Sequence, residues 1–214
     1  MMKRTLIISI LLLNAITLAA IKPNRAYSYT PDKLDLTYEE FKVKTDDGFT
    51  LNVWHLPSEG NGVPVIISQS DAGNMGDWLY LGLYLQAYGL DVWMYDYRGF
   101  GQSDDFSIVQ NQLFHMEFVK DLDAVAKYVY QKTDKSPALL GISMGTIIVN
   151  EYLRIAEIPV SKVVFDGYVA DPKSWNDKLA GKGKQIIKTF DCEHISGFFR
   201  YPEEYTDSVA EFLK

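Results

Sequence analysis

Four short runs, "VPVIISQ" (63–69), "LDVWMYDY" (90–97), "SPALLGI" (136–142) and "SKVVFDG" (161–167), carry apolar residues without the polar alternation of a half-exposed strand. A strand that is apolar on both faces belongs in a parallel sheet covered by helices on either side. The segments between them fit that role. "DWLYLGLYLQAYG" (77–89) has apolar residues at helical spacing and stops at a glycine. "QNQLFHMEFVKDLDAVAKYVYQKT" (110–133) places Phe118, Leu122, Val125 and Val129 on one helical face. "MGTIIVNEYLRIA" reads as a helix starting at once after Ser143, "PKSWNDKLA" as a short helix, "KQIIKTF" as the last strand and "PEEYTDSVAEFL" as a helix opened by proline. Upstream, "EEFKVKT" and "FTLNVWHL" alternate with period two around "DDG", the signature of an antiparallel hairpin. The expected fold class is α/β, a doubly wound, mostly parallel sheet with a leading antiparallel hairpin.

With 47% hydrophobic and 23% charged residues over 214 positions, the chain can bury such a core, and residues 38–214 are expected to form one domain. The start of the chain differs in kind. Lys3 and Arg4 precede "TLIISILLLNAITLAA", an apolar stretch with a small-residue exit, which reads as a secretory signal over 1–20. Cleavage is expected near Ala20, with Ala26 the second choice, and 21–37 as a linker. The stretch is short for a membrane span and holds Asn14 and Thr17; left uncleaved it would be an N-terminal anchor, the one membrane contact expected. The expected location is therefore secreted or periplasmic. Cys192 is the single cysteine, so no intramolecular disulfide can form. A net charge of −7 argues against nucleic acid as a partner. Scattered histidines without a His-Glu-x-x-His pattern argue against a metal site. No cofactor is implied.

Chemistry concentrates at "GISMG", where Ser143 stands between Gly141 and Gly145 at a strand-to-helix junction. A serine on so tight a turn takes strained dihedrals that lift its hydroxyl off the sheet. The chain then passes close to itself two residues either side, where only glycine avoids collision. Met144 opens the next helix, and its backbone N–H and the helix dipole can stabilise an oxyanion. Serine needs a base. Of the 3 histidines, His55 and His115 precede this elbow; His194 alone follows it, in a loop beyond the last strand run, at the sheet edge where the serine stands.

These residues resemble the α/β-hydrolase superfamily. The likeness rests on the "GISMG" elbow, the "DYRGFGQSD" loop (96–104), the "EH…YPEEYTDSVAEFL" tail and the order serine then histidine. The resemblance implies a second oxyanion N–H in "SQSDAGNMGDW", where Gln69, Ser70 and Asp71 stand in place of a His-Gly-x start and Asp71 would be the donor. It also implies a triad acid after a late strand. "VVFDGYVADP" offers Asp171, slightly favoured, and Asp166. Only about fifty residues separate Ser143 from His194, so the second half is shortened and without a lid. "RGFGQSD" is expected to be a structural turn at the pocket edge.

Two functions fit. The first is a serine hydrolase that cleaves a carboxylic ester or related acyl bond of a small-molecule acyl substrate through an acyl-enzyme on Ser143. The second is a non-catalytic or degenerate relative that has lost its acid-bearing segment and acts in binding.

Overall fold

The computed structural model describes residues 20–167 and 190–214. The helix expected over 172–180, nearly all of the strand expected over 184–190, and Asp171 lie outside these residues. Among the described residues, the two-residue β1 (Lys22–Pro23) precedes the hairpin of β2 (Glu39–Lys44) and β3 (Thr50–Leu56). Then come β4 (Pro64–Ser68), the short β5 (Ala72–Gly73), helix α1 (Leu79–Ala87), β6 (Asp91–Tyr95), α2 (Met116–Thr133), β7 (Ala138–Ile142), α3 (Met144–Ile155) and β8 (Val163–Asp166). A single turn, α4 (Gly197–Arg200), leads into α5 (Pro202–Leu213).

The main sheet has 6 strands in the order β2-β3-β6-β4-β7-β8. β2, β3 and β6 pair antiparallel, while β6, β4, β7 and β8 run parallel, as the apolar runs predict. The hairpin turns at Gly48, whose φ of 95° suits a residue without Cβ. Successive strand residues feed opposite cores. Ile66, Trp93, Tyr95 and Leu139 pack on the α2–α3 side with Phe118, Leu122, Val125 and Val129. Val65, Ile67, Val92, Met94 and Leu140 pack on the α1–α5 side with Leu81, Leu85, Val209 and Leu213. Each such side chain, fully buried, stabilises the fold by about 1.5–3 kcal/mol.

Two expectations are corrected. α2 starts at Met116, not at Gln110, because the preceding residues form a turn. Gln112 donates to the Val109 carbonyl, His115 is extended at φ −116° and ψ 140°, and its Nε2 accepts the Val109 amide at 3.1 Å. The stretch 21–37 is no free linker. Ile21 is fully buried and β1 pairs in parallel with β5, so its first residues are laid onto the domain. With four parallel strands, the carboxyl ends of β4, β6, β7 and β8 share one edge, and Gln69, Asp96, Ser143 and Asp166 gather there.

Candidate active site

Ser143 sits between β7 and α3 with φ 50° and ψ −114°, the left-handed side of the map that a serine enters only at a cost of roughly 1–3 kcal/mol. Its neighbours impose this. The Ser143 amide donates to the Asp166 carbonyl at 2.9 Å, which ties the turn to β8. The Ser143 carbonyl already accepts the Thr146 amide at 2.9 Å and the Thr146 hydroxyl at 2.6 Å. Both glycines are required by space. A Cβ on Gly141 would lie 2.7 Å from the Gly145 carbonyl oxygen, and one on Gly145 would lie 2.0 Å from the Ser68 carbonyl oxygen. The second contact adds to the sequence reading, because Gly145 also lets the elbow seat against the end of β4 and the start of the 69–71 loop.

The three histidines divide by environment. His55 Nδ1 and Nε2 lie 2.9 and 2.8 Å from Glu39 and Asp91, and the ring stacks on Trp93 at 3.9 Å. His115 is committed to the Val109 amide. His194 is brought to the elbow, with Nε2 3.0 Å from Ser143 Oγ, a hydrogen bond in which the hydroxyl can donate to a neutral ring. The sequence shows no signal for what makes this fit. A Cβ on Gly167 would lie 2.8 Å from His194 Cε1, so the glycine after β8 leaves room for the imidazole. The adjacent Ile195 takes φ 54°, turning the chain at once toward α4.

Asp166 ends β8 beside this pair, and its Oδ2 accepts the Tyr205 hydroxyl of α5 at 2.9 Å. Burial, the largest influence, pushes its carboxyl above the ordinary range, against the Tyr205 bond and the Gly167 amide. Asp166, Gly167 and His194 line the same hollow beside the elbow. Tyr205 was not legible as a site residue, since in the α5 pattern it reads as one more core position.

The stretch expected to supply an oxyanion donor runs beside the elbow. Gln69 is buried, and its carbonyl accepts the Tyr97 hydroxyl at 3.0 Å. Asp71 is half-buried. Past it, Asn74 and Asp77 form a reciprocal cap on the turn that leads into α1. Asp96, fully buried at the end of β6, accepts the Met75 amide at 2.8 Å. Burial raises the Asp96 carboxyl to about 6, against the hydrogen bonds it accepts. The "RGFGQSD" turn is structural, as expected. Arg98 is fully buried and joins Asp121 of α2 to Asp47 of the hairpin turn at 2.7 and 2.9 Å.

Comparison with known proteins bears on the family and the fold. Residues 63–191 match the family model described as the alpha/beta hydrolase fold. An alpha/beta hydrolase domain-containing protein of Arabidopsis thaliana is 28% identical over 114 residues, which are 52% of this chain and 35% of that protein. Lipase member M of Mus musculus is 31% identical over 129 residues, 50% of this chain and 31% of that one. The chain spans about a third of the length of these curated relatives. Among solved structures, an esterase of Pyrococcus furiosus superposes with a TM-score of 0.69 at 18% identity, covering 90% of this chain and 97% of the esterase. That likeness is one of fold.

Proposed function

Starting from the chain's membership of the alpha/beta hydrolase family, we propose that it is a serine hydrolase that cleaves a carboxylic ester or related acyl bond of a small-molecule substrate. The observation that carries this reading is the 3.0 Å contact between Ser143 Oγ, raised on a strained elbow, and His194 Nε2. Ser143 attacks the substrate carbonyl while His194 takes its proton. The tetrahedral oxyanion is held by the backbone amides of Met144 and Asp71. Met144 is the first residue of α3, where amides have no intrahelical acceptor and the helix dipole favours negative charge. His194 returns the proton to the leaving alcohol, and water then releases the acyl group by the same path in reverse.

Asp166 serves as the acid that orients His194. Its place at the end of β8, in the same hollow as His194, supports that role, and Tyr205 steadies its carboxylate. Asp171, the acid favoured by the sequence, is the competing assignment. The esterase-like fold and the lipase among the relatives support an ester substrate. Export is proposed on the sequence of the first residues alone, with the chain secreted or periplasmic once cleaved, or held at a membrane by that segment if uncleaved. The test is turnover of short-chain p-nitrophenyl esters by the wild type and by Ser143→Ala. Hydrolysis that disappears with the hydroxyl supports the reading. A folded wild type without turnover on any acyl ester, or an unaffected Ser143→Ala, rejects it.

A further inference from the structure

The segment that follows the apolar leader grips the loop assigned to the oxyanion. The Lys22 amide donates to the Asp71 carbonyl at 2.8 Å, and the Asn24 amide to the Gly73 carbonyl at 2.8 Å, which makes the parallel pairing of β1 with β5. Asn74 closes the junction from the other side. Its Nδ2 donates to the Asn24 and Ala26 carbonyls at 3.1 and 2.8 Å, while its Oδ1 accepts the Gly76 amide at 3.0 Å. The Tyr27 hydroxyl then donates to Asp96, the same carboxylate that holds the Met75 amide, and receives the Asn52 side-chain amide at 3.0 Å. Upstream, the Ala20 and Ile21 amides both reach the Gln110 carbonyl, and Ile21 is fully buried.

These bonds bracket one peptide unit. The Asp71 N–H belongs to the peptide joining Ser70 to Asp71. On its amino side the Gln69 carbonyl is fixed by Tyr97, and on its carboxyl side the Asp71 carbonyl is fixed by Lys22. An oxyanion donor acts through preorganisation, and its value is lost if it must be re-aimed during the reaction. A loop of this kind, with backbone groups satisfied by a segment some fifty residues upstream, depends on that segment for its aim.

We propose that residues 20–27 are a positioning strap which holds the Asp71 amide in place for catalysis; the proposal rests on the hydrolase reading above. No strap side chain is asked to touch substrate. One consequence concerns processing. A cut after Ala20 leaves Ile21 to Tyr27 in place, whereas a cut after Ala26 severs Ile21, Lys22 and Asn24 from the fold.

Asn74→Asp in the full chain is the test, because it keeps the oxygen that caps Gly76 and replaces the two donations to the strap by carboxylate–carbonyl repulsion. Ester kcat and KM are measured together with hydrogen exchange of the amides over 70–76. Loss of a whole oxyanion donor costs about 10²–10³ in kcat, so a loosened one is expected to lower kcat by roughly tenfold or more with KM within about twofold. Exchange over 70–76 should rise in parallel. Where Asn74→Asp fails to fold, Tyr27→Phe, which removes the hydroxyl that donates to Asp96 and accepts from Asn52 and the Gln102 amide, is expected to show the same split. Unchanged exchange, or faster exchange with unchanged kcat in an active enzyme, overturns the strap and leaves the hydrolase standing. A wild type that neither turns over ester nor reacts with a fluorophosphonate refutes the hydrolase reading, and the positioning role with it.

Discussion

Replacing Gly145 by alanine tests the elbow at its least forgiving point. The added Cβ would stand 2.0 Å from the Ser68 carbonyl oxygen, 2.7 Å from its carbon and 2.8 Å from the Gln69 carbonyl oxygen. All three are backbone atoms at the end of a central strand, so no rotamer change relieves the clash. Ordinary contact is restored only if α3 and β4 separate by roughly 1 Å, which opens the core that Ile66 shares with Met144 and Ile148. Overpacking of this sort costs typically 1–3 kcal/mol, and a rigid backbone contact belongs at the upper end. For a chain of this size each kcal/mol lowers the melting temperature by about 2–4 °C, so a fall of roughly 5–10 °C is expected. The separation also moves the Met144 amide and Ser143 relative to the 69–71 loop. A misplacement near 1 Å can cost about 10²-fold in rate. Differential scanning calorimetry and p-nitrophenyl ester turnover on the same preparation give both numbers. A Gly145→Ala protein with wild-type melting and turnover would refute the claim that the glycine is there for close approach.

The orienting acid is separable by mutation. Asp166→Asn is expected to lower kcat by about three to four orders of magnitude, as loss of the acid does in a serine-protease triad, while Asp171→Asn does much less; the reverse order in steady-state kinetics would move the role to Asp171. Tyr205→Phe removes the hydroxyl on Asp166 and should reduce kcat modestly, by about tenfold, without changing KM, which progress curves at saturating substrate will show. His55 links stability to pH. Burial pulls its imidazole down, but Asp91 and Glu39 on its two nitrogens outweigh this and hold it above the ordinary value of 6.5. A raised folded-state value means that the stabilisation is fully present below pH 6.5 and fades as pH rises through the raised value. Melting temperature should therefore fall with pH across that window more steeply in the wild type than in His55→Gln; parallel slopes would contradict the assignment.

Much of the scaffold was legible because its signals are local. Apolar runs without alternation marked β4, β6 and β7, and the turn at Gly48 marked the hairpin. Spacing of Phe118, Leu122, Val125 and Val129 gave the buried face of α2, though not its first residue, which depends on the side-chain bond His115 makes to Val109. The elbow was legible for the same reason, since Gly141, Ser143 and Gly145 lie within one turn. His194 could be singled out only by chain order, and the distance to Ser143 had to come from the fold. Contacts made across long separations left no trace in the sequence. Gly167 looks like any turn glycine until His194 is above it, and Tyr205 like any core aromatic until Asp166 meets its hydroxyl. The pairing of Lys22 with Asp71 joins two polar stretches whose composition suggests loops at both ends. The choice of acid stayed open because Asp166 and Asp171 lie five residues apart, and only the path of the chain decides which carboxylate faces the imidazole.

The central claim is that His194 activates Ser143. The most direct measurement is the rate of phosphonylation by a fluorophosphonate at pH 7.5, followed by intact mass and located by peptide mapping, in the wild type and in His194→Ala. Capture of the wild type at Ser143, slowed by about three orders of magnitude or more in the variant, is the result expected of a serine dependent on its base. Equal rates in the two proteins, or an adduct on another residue, would show that the 3.0 Å contact does no chemistry.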